Sequence, residues 1–172
     1  MDNLIIRNIE YNDIPSVVDI QMNGWKAAYK GIIDDDILDA MDRATKIEKM
    51  KDNYQNEPFV VAVLDNEVVG FSRYVYDNHY SPDYSIDCEI VALYVKPELK
   101  YQGIGTKLFN YIVNECKRLD KKKMIIWCLK ENYPSRKFYE KLGGTIVGEK
   151  NFIKSDKAFP EVGFFYELDK KE

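Results

Sequence analysis

A strand, a turn with two glycines and the start of a helix follow one another in Leu93-Tyr94-Val95-Lys96-Pro97-Glu98-Leu99-Lys100-Tyr101-Gln102-Gly103-Ile104-Gly105-Thr106. Such a turn places backbone N–H groups and a helix N-terminus where an anionic phosphate can bind. A side chain at Gly103 or Gly105 would hold the phosphate away from the backbone. The stretch therefore predicts a binding site for a phosphate-bearing cofactor.

The spacing of the glycines excludes two common phosphate-binding loops. A dinucleotide fingerprint needs a third glycine three residues after Gly105, where Leu108 stands. The loop Gly-x-x-x-x-Gly-Lys-Ser/Thr is also absent, because no glycine precedes Gly105 by five residues. The remaining pattern, Lys-x-x-Gly-x-Gly, is by itself equally compatible with a glycine-rich helix start that binds nothing.

A second motif lies in Asn132-Tyr133-Pro134-Ser135-Arg136-Lys137-Phe138-Tyr139-Glu140-Lys141-Leu142-Gly143-Gly144. In this order, the two motifs resemble those of the GNAT acyltransferase family, Arg/Gln-x-x-Gly-x-Gly/Ala and Asn-x-x-Ala/Ser-x-x-Phe-Tyr-x-x-x-Gly. Lys100 departs from the commonest first residue but keeps its positive charge. The resemblance covers residues 59–168 well and the first 58 more loosely. It implies that the first turn holds the pyrophosphate of acetyl-CoA.

The residue pattern predicts one α/β domain over residues 1–172, with a mixed sheet and helices on both faces. The strands are predicted at Leu4–Ile9, Phe59–Leu64, Val68–Tyr76, Asp87–Val95, Lys123–Leu129 and twice in the tail, where the second is Glu161–Leu168. The resemblance implies a mostly antiparallel sheet of about seven strands with a splayed central pair. It also implies that residues 1–58 form the acceptor side and residues 59–168 the acetyl-CoA-binding core.

Composition narrows the classes of function. The net charge is −4 without a basic stripe, so no nucleic-acid partner is expected. No apolar run approaches the ~20 residues of a membrane span, and no membrane partner is expected. The three dispersed cysteines and the single histidine offer no metal-ligand spacing, and such cysteines fit a reducing cytoplasm. We therefore expect a cytoplasmic protein that holds no metal.

Acyl transfer to an amine needs a base for the amine and an acid for the departing thiolate. Glu89 is the candidate base, because it interrupts an otherwise apolar strand and because the resemblance puts a glutamate there. A structural or substrate-orienting carboxylate is the alternative role for Glu89, and Asp87 is the rival base. By resemblance, Tyr139 is the candidate acid, and a half-buried structural tyrosine is its alternative role.

The resemblance also implies a set of cofactor contacts. Backbone groups of the strand would bind pantetheine beside a bulge, the glycine turn would bind the pyrophosphate, and the second motif would contact the same arm. The predicted cofactor-binding residues are Leu93, Tyr94, Val95, Lys100, Tyr101, Gln102, Gly103, Ile104, Gly105, Thr106, Asn132 and Ser135.

The acceptor is predicted to be the primary amine of a small molecule or peptide. Trp25 and Tyr29 share one helix face and are the candidate acceptor-binding residues, with core packing as the alternative. Direct transfer from acetyl-CoA is the leading hypothesis. A non-catalytic acyl-CoA sensor and a transferase for longer acyl chains are the alternatives. Many relatives form homodimers through edge strands, and Glu161–Leu168 is the strand where such pairing is expected.

Overall fold

The computed structural model describes residues 3–169. Its strands are β1 (Leu4–Asn8), β2 (Phe59–Leu64), β3 (Glu67–Val75), β4 (Cys88–Val95), β5 (Lys123–Leu129), β6 (Thr145–Lys154) and β7 (Lys157–Glu167). Its helices are α1 (Ile14–Tyr29), α2 (Asp35–Asp39), α3 (Arg43–Asn53), α4 (Ile104–Arg118) and α5 (Tyr133–Lys141). The order of elements and most of their bounds agree with the sequence pattern to within one or two residues. Within this part of the chain, none of the helices has the length and hydropathy needed to cross a membrane.

All seven strands form one sheet in the order β1-β2-β3-β4-β5-β7-β6. Only β4 and β5 run parallel, and every other neighbouring pair is antiparallel. This is the predicted mixed α/β sheet. The last strand, however, lies between β5 and β6, so the expectation that Glu161–Leu168 offers a pairing edge is wrong. The apolar side chains of β7 are buried and those of β6 are largely exposed, which favours β7 inside the sheet and β6 at its edge.

Helices cover both faces of the sheet, as predicted. Alternate side chains of a strand point to opposite faces, so the central strands contribute to two cores. On one face, α4 and α5 pack over Ile90, Ile126 and Phe164. On the other face, α1 and α3 pack over β2 and β3. A third cluster joins α2 to the ends of β5 and β7.

Gly24 allows α1 to lie close to β4. A Cβ atom at this position would be 2.8 Å from Cδ1 of Tyr94, a separation that real Cβ contacts do not show. The close approach brings the hydroxyl groups of Tyr29 and Tyr94 to 2.8 Å from each other. A glycine in the helix interior costs about 0.5–1 kcal/mol relative to alanine. Here it permits a contact between the first helix and the central strand.

Candidate active site

The turn before α4 has the backbone that the glycine motif predicts. Gly103 has φ +83° and Tyr101 has φ +64°, so the chain passes through two residues in the left-handed conformation before it enters α4. Glycine adopts this conformation without strain. No side chain caps the helix, and the first N–H groups of a helix have no intrahelical partner. Those groups, on Ile104, Gly105 and Thr106, are available to an anion.

The structure requires glycine at Gly103 and at Gly105 for two different reasons. Apart from its chain neighbours, no atom of residues 3–169 lies within 4 Å of the position of an added Cβ at Gly103, so its left-handed φ is the constraint. At Gly105, an added Cβ would lie 3.2 Å from Cζ of Phe138. The lack of a side chain at Gly105 therefore serves the packing of α4 against α5, a reason that differs from the predicted approach of a phosphate. The side chain of Ile104 is buried in the core, so only its backbone faces outward.

A cleft of about 520 Å³ brings the two sequence motifs together. Lys100 and Tyr101 contribute one side, and Asn132 and Ser135 contribute another. Asn132 also caps α5, because its side chain accepts a hydrogen bond of 3.4 Å from the N–H of Ser135. The third side comes from the end of α1 and residues 30–32, so the N-terminal part contributes to this cleft as well.

The parallel strands β4 and β5 separate in the middle of the sheet. Their pairing covers only Cys88–Ile90 and Met124–Ile126. The register between β3 and β4 shifts at the next residue, Val91, which is an extra residue in β4. Beyond it, residues 93–95 pair with β3 alone, and residues 127–129 pair with β7 alone. The splayed central pair is therefore present, and it leaves two facing strand edges that an extended chain could bind.

Glu89 lies directly before this separation and is only 3% exposed. Its carboxylate accepts a hydrogen bond of 2.8 Å from the hydroxyl of Ser81, which in turn accepts one of 2.8 Å from the indole N–H of Trp127. Burial raises the pKa of Glu89, and the hydrogen bond from Ser81 opposes that shift. A buried carboxylate with a raised pKa is suited to take a proton from an amine.

Asp87, the rival candidate base, has a structural role. Its carboxylate accepts hydrogen bonds of 2.9 Å and 3.0 Å from the backbone N–H groups of Lys122 and Lys123. These bonds tie the start of β4 to the start of β5. The carboxylate is thus engaged at the closed end of the parallel pair, away from the separation.

Tyr139 lies deeper than the cleft and is 6% exposed. Its ring packs against Phe164, and its backbone carbonyl accepts a hydrogen bond of 2.8 Å from the hydroxyl of Tyr166. Burial, with further contributions from Cys128 and Tyr94, holds the pKa of Tyr139 well above its ordinary value. The phenol therefore stays protonated at neutral pH, as a proton donor must. Asn132 and Ser135 line the cleft and Tyr139 does not, so the three do not form one exposed row.

Trp25 and Tyr29 pack with residues that the sequence reading missed. Their rings lie 5.2 Å apart, and Trp25 also contacts Phe152 of β6 at 5.9 Å. The missed residues facing the same side of the sheet are Ser81, Trp127, Lys150 and Glu161. No local motif marks them, because they come from distant strands and a loop. We call Trp25, Tyr29, Glu89, Trp127, Lys150 and Glu161 the α1-side cluster.

Glu161 adds a second carboxylate to the α1-side cluster. Burial raises its pKa, the ammonium of Lys150 opposes the shift, and the charge of Glu89 adds to it. The phenol groups of Tyr29 and Tyr94 are also held at raised pKa values, mainly by burial, and Glu161 contributes to both. An ion pair between Lys157 and Asp34 closes the β6–β7 hairpin onto the loop after α1. The α1-side cluster therefore combines two carboxyl groups, one lysine ammonium and aromatic rings beside the strand separation.

Comparison with known proteins identifies the family. A family model described as the acetyltransferase (GNAT) family matches residues 24–144. The uncharacterized N-acetyltransferase YuaI of Bacillus subtilis is 25% identical over 158 residues, which are 92% of this chain and 90% of the relative. The probable N-acetyltransferase Rv2775 of Mycobacterium tuberculosis is 28% identical over 170 residues, 94% of this chain and 92% of the relative.

Solved structures share the fold. The PaiA N-acetyltransferase of Thermoplasma acidophilum, in complex with coenzyme A, has a TM-score of 0.72 and 20% identity over 95% of this chain and 98% of its own. YncA of Salmonella typhimurium, a putative acetyltransferase with acetyl-CoA, has a TM-score of 0.68 and 17% identity over 98% of this chain and 96% of its own. The chain belongs to the GNAT acetyltransferase family. It is accordingly an acyltransferase whose donor is acetyl-CoA.

Proposed function

We propose that this protein transfers an acetyl group from acetyl-CoA directly to the primary amine of a small molecule or peptide. The observation that carries the proposal is the separation of β4 and β5 beyond Ile90. A buried carboxylate, Glu89, lies beside it, and a buried phenol, Tyr139, packs on the opposite face of the sheet. Acyl transfer to an amine is assisted by a base that takes the amine proton and an acid that gives a proton to the departing thiolate.

The cofactor would lie along the separated strands. Pantetheine carries amide groups like those of an extended peptide, and the backbone of residues 93–95, at the edge of β4 that faces the separation, would bind it. The pyrophosphate would bind at the N-terminus of α4, beside the cleft lined by Lys100 and Asn132. The acetyl group would then lie near Val91, on the side of the α1-side cluster. In this arrangement residues 1–58 contribute Trp25 and Tyr29 to the acceptor side. Residues 59–168 supply most of the cofactor side and the remaining residues of the α1-side cluster.

The reaction would be a direct displacement. An ammonium acceptor gives its proton to Glu89, directly or through water, and the free amine attacks the thioester carbon. A new N–C bond forms, the C–S bond breaks, and the phenol of Tyr139 gives its proton to the departing sulfur. The attacking nitrogen then loses its second proton to water, and water returns a proton to the Tyr139 phenolate. A lysine-like amine has a pKa near 10.4, so removing its proton at pH 7 costs about 4–5 kcal/mol. A dedicated base is therefore useful.

The test is a paired measurement of transfer and binding. Purified protein is incubated with acetyl-CoA and a panel of amines, and thiol release and acetylated product are both measured. Tyr139→Phe should lower kcat by about 10²–10⁴ and leave CoA binding nearly intact, because only proton donation is lost. Tyr111→Phe, which removes the hydroxyl of a half-buried tyrosine on α4 outside both motifs, is the matched control.

Three outcomes would contradict the proposal. An unchanged kcat for Tyr139→Phe would remove its role as the acid. Binding of acetyl-CoA without transfer to any amine would favour the acyl-CoA sensor. If a longer acyl-CoA is used faster than acetyl-CoA, the protein is a transferase for longer chains.

A further inference from the structure

Two lysine ammonium groups converge on the ring of Trp25 from different elements. The Nζ atom of Lys46, on α3, lies 5.7 Å from the ring centre, and that of Lys154, at the end of β6, lies 5.9 Å from it. Burial lowers the pKa of Lys46, and the neighbouring charges of Lys154 and Lys49 lower it further. We call Lys46, Lys154 and the ring of Trp25 the lysine pair site.

The positive charge of this site is not compensated within residues 3–169. No acid lies within 4 Å of Lys46 or Lys154 there, whereas several other lysines each have such an acid. These paired lysines are Lys51, Lys96, Lys122, Lys130 and Lys157. The face of an indole ring attracts a cation, but two like charges near each other oppose that attraction. A partly buried site with two cations and no acid is suited to bind an anion.

The lysine pair site is continuous with the α1-side cluster. Lys150, Phe152 and Lys154 alternate along β6, so their side chains leave the same face of the strand. The Nζ atom of Lys150 lies 4.5 Å from the ring centre of Trp127, the partner of Ser81 beside Glu89. Phe152 contacts Trp25. Lys154 lies four positions after Lys150 along the strand, which corresponds to roughly 13 Å.

We infer that the acceptor is an amine that also carries an anionic group, and that Lys46 and Lys154 bind this group while the amine reaches Glu89. This inference rests on the proposed function of the site. Acidic groups face the amine at one end, Glu89 and Glu161, and basic groups face the anion at the other. An extended chain advances roughly 3.3 Å per residue, so the offset of roughly 13 Å along β6 corresponds to at most about four residues of extended peptide between the amine and the anion.

The experiment compares two acceptors that differ only in this charge, triglycine and triglycinamide. The kcat/KM of the wild-type protein should be about 10-fold or more higher for triglycine, the size expected for a charge-assisted contact. In the double variant Lys46→Gln/Lys154→Gln, the two values should become equal to within about 2-fold, with triglycinamide unaffected. The variant Lys117→Gln/Lys141→Gln removes the same charge from α4 and α5 and should keep the preference.

A binding measurement separates this inference from the proposed function. Calorimetry of the CoA-saturated protein with triglycine should show a Kd about 10-fold weaker in the double variant, even if no acetyl transfer is found. The pair 6-aminohexanoate and hexylamine repeats the comparison on a non-peptide chain. Three results would each overturn the inference. The first is equal kcat/KM and equal affinity within both pairs of acceptors, and the second is a preference for the anionic acceptor that survives in the double variant. The third is that neither triglycine nor 6-aminohexanoate binds.

Discussion

Ser81 offers a direct way to test whether Glu89 works as a base. Its hydroxyl donates to the Glu89 carboxylate at 2.8 Å and accepts from Trp127 at 2.8 Å, and all of this lies in a buried site. Replacing Ser81 with alanine removes the donor that stabilises the charged carboxylate. The pKa of Glu89, already raised by burial, should rise further.

The size of this effect follows from the kind of contact that is lost. A hydrogen bond to a charged group contributes about 1.5–3 kcal/mol, and 1.36 kcal/mol corresponds to one pKa unit. The acid limb of kcat/KM should therefore move to higher pH by about 1–2 units in Ser81→Ala. The indole N–H of Trp127 would also lose its partner, at a cost of about 1–3 kcal/mol in the free energy of unfolding.

The assay is a pH profile of kcat/KM between about pH 5 and 9, with acetyl-CoA and an amine that the panel identifies. The carbon-13 shift of the Glu89 carboxylate gives its pKa directly, without turnover. Ser85 is an exposed serine of the same loop, and Ser85→Ala is the matched control. It should leave the acid limb of kcat/KM and the pKa of Glu89 unchanged. If the acid limb stays in place while the pKa of Glu89 rises, Glu89 is not the base and only orients the acceptor.

Two further predictions concern stability. Glu89→Gln should raise the melting temperature at pH 7 but change it little at pH 4. The pKa of Glu89 is raised on folding, so its carboxyl group stabilises the protein at a pH below the pKa of the unfolded chain. That stabilisation is lost as the pH rises through the pKa of the folded protein. A melting temperature at pH 7 equal to that of the wild-type protein would contradict the burial of Glu89 as a charged group. Gly24→Ala should lower the free energy of unfolding by about 1–3 kcal/mol, because its Cβ would lie 2.8 Å from Tyr94. Denaturant unfolding measures this change, and an unaffected midpoint would mean that α1 shifts without cost.

The features predictable from sequence were those set by short-range chemistry. The left-handed residue before α4 needs glycine, and a glycine stands there as Gly103. Asn132 could be placed at the start of α5 because asparagine is a preferred capping residue. The apolar run that contains Glu89 was compatible with a half-buried carboxylate or with one on a solvent-facing edge, and the structure shows that Glu89 is buried. The predicted order of strands and helices was confirmed because each element carries its own periodicity of apolar residues.

The features that were missed depend on which strands become neighbours. The insertion of β7 between β5 and β6 could not be derived from the order of the elements, and it removed the expected pairing edge. It also placed Glu161 beside Leu129 and Lys150, facing the α1 side. Ser81 lies in the irregular loop before β4 and contacts Glu89 from there. A sequence pattern does not predict the path of such a loop.

From its sequence alone, this protein can be assigned a glycine turn that opens a helix, a second family motif and a single mixed sheet, because helix starts, glycine turns and apolar periodicity act over a few residues. The tertiary structure alone decided the surroundings of the candidate catalytic groups. Strand register, the extra residue at Val91 and the close approach at Gly24 set which side chains share one face. The charges of the proposed acceptor side, from Glu89 and Glu161 to Lys46 and Lys154, come together only through contacts between elements distant in the chain.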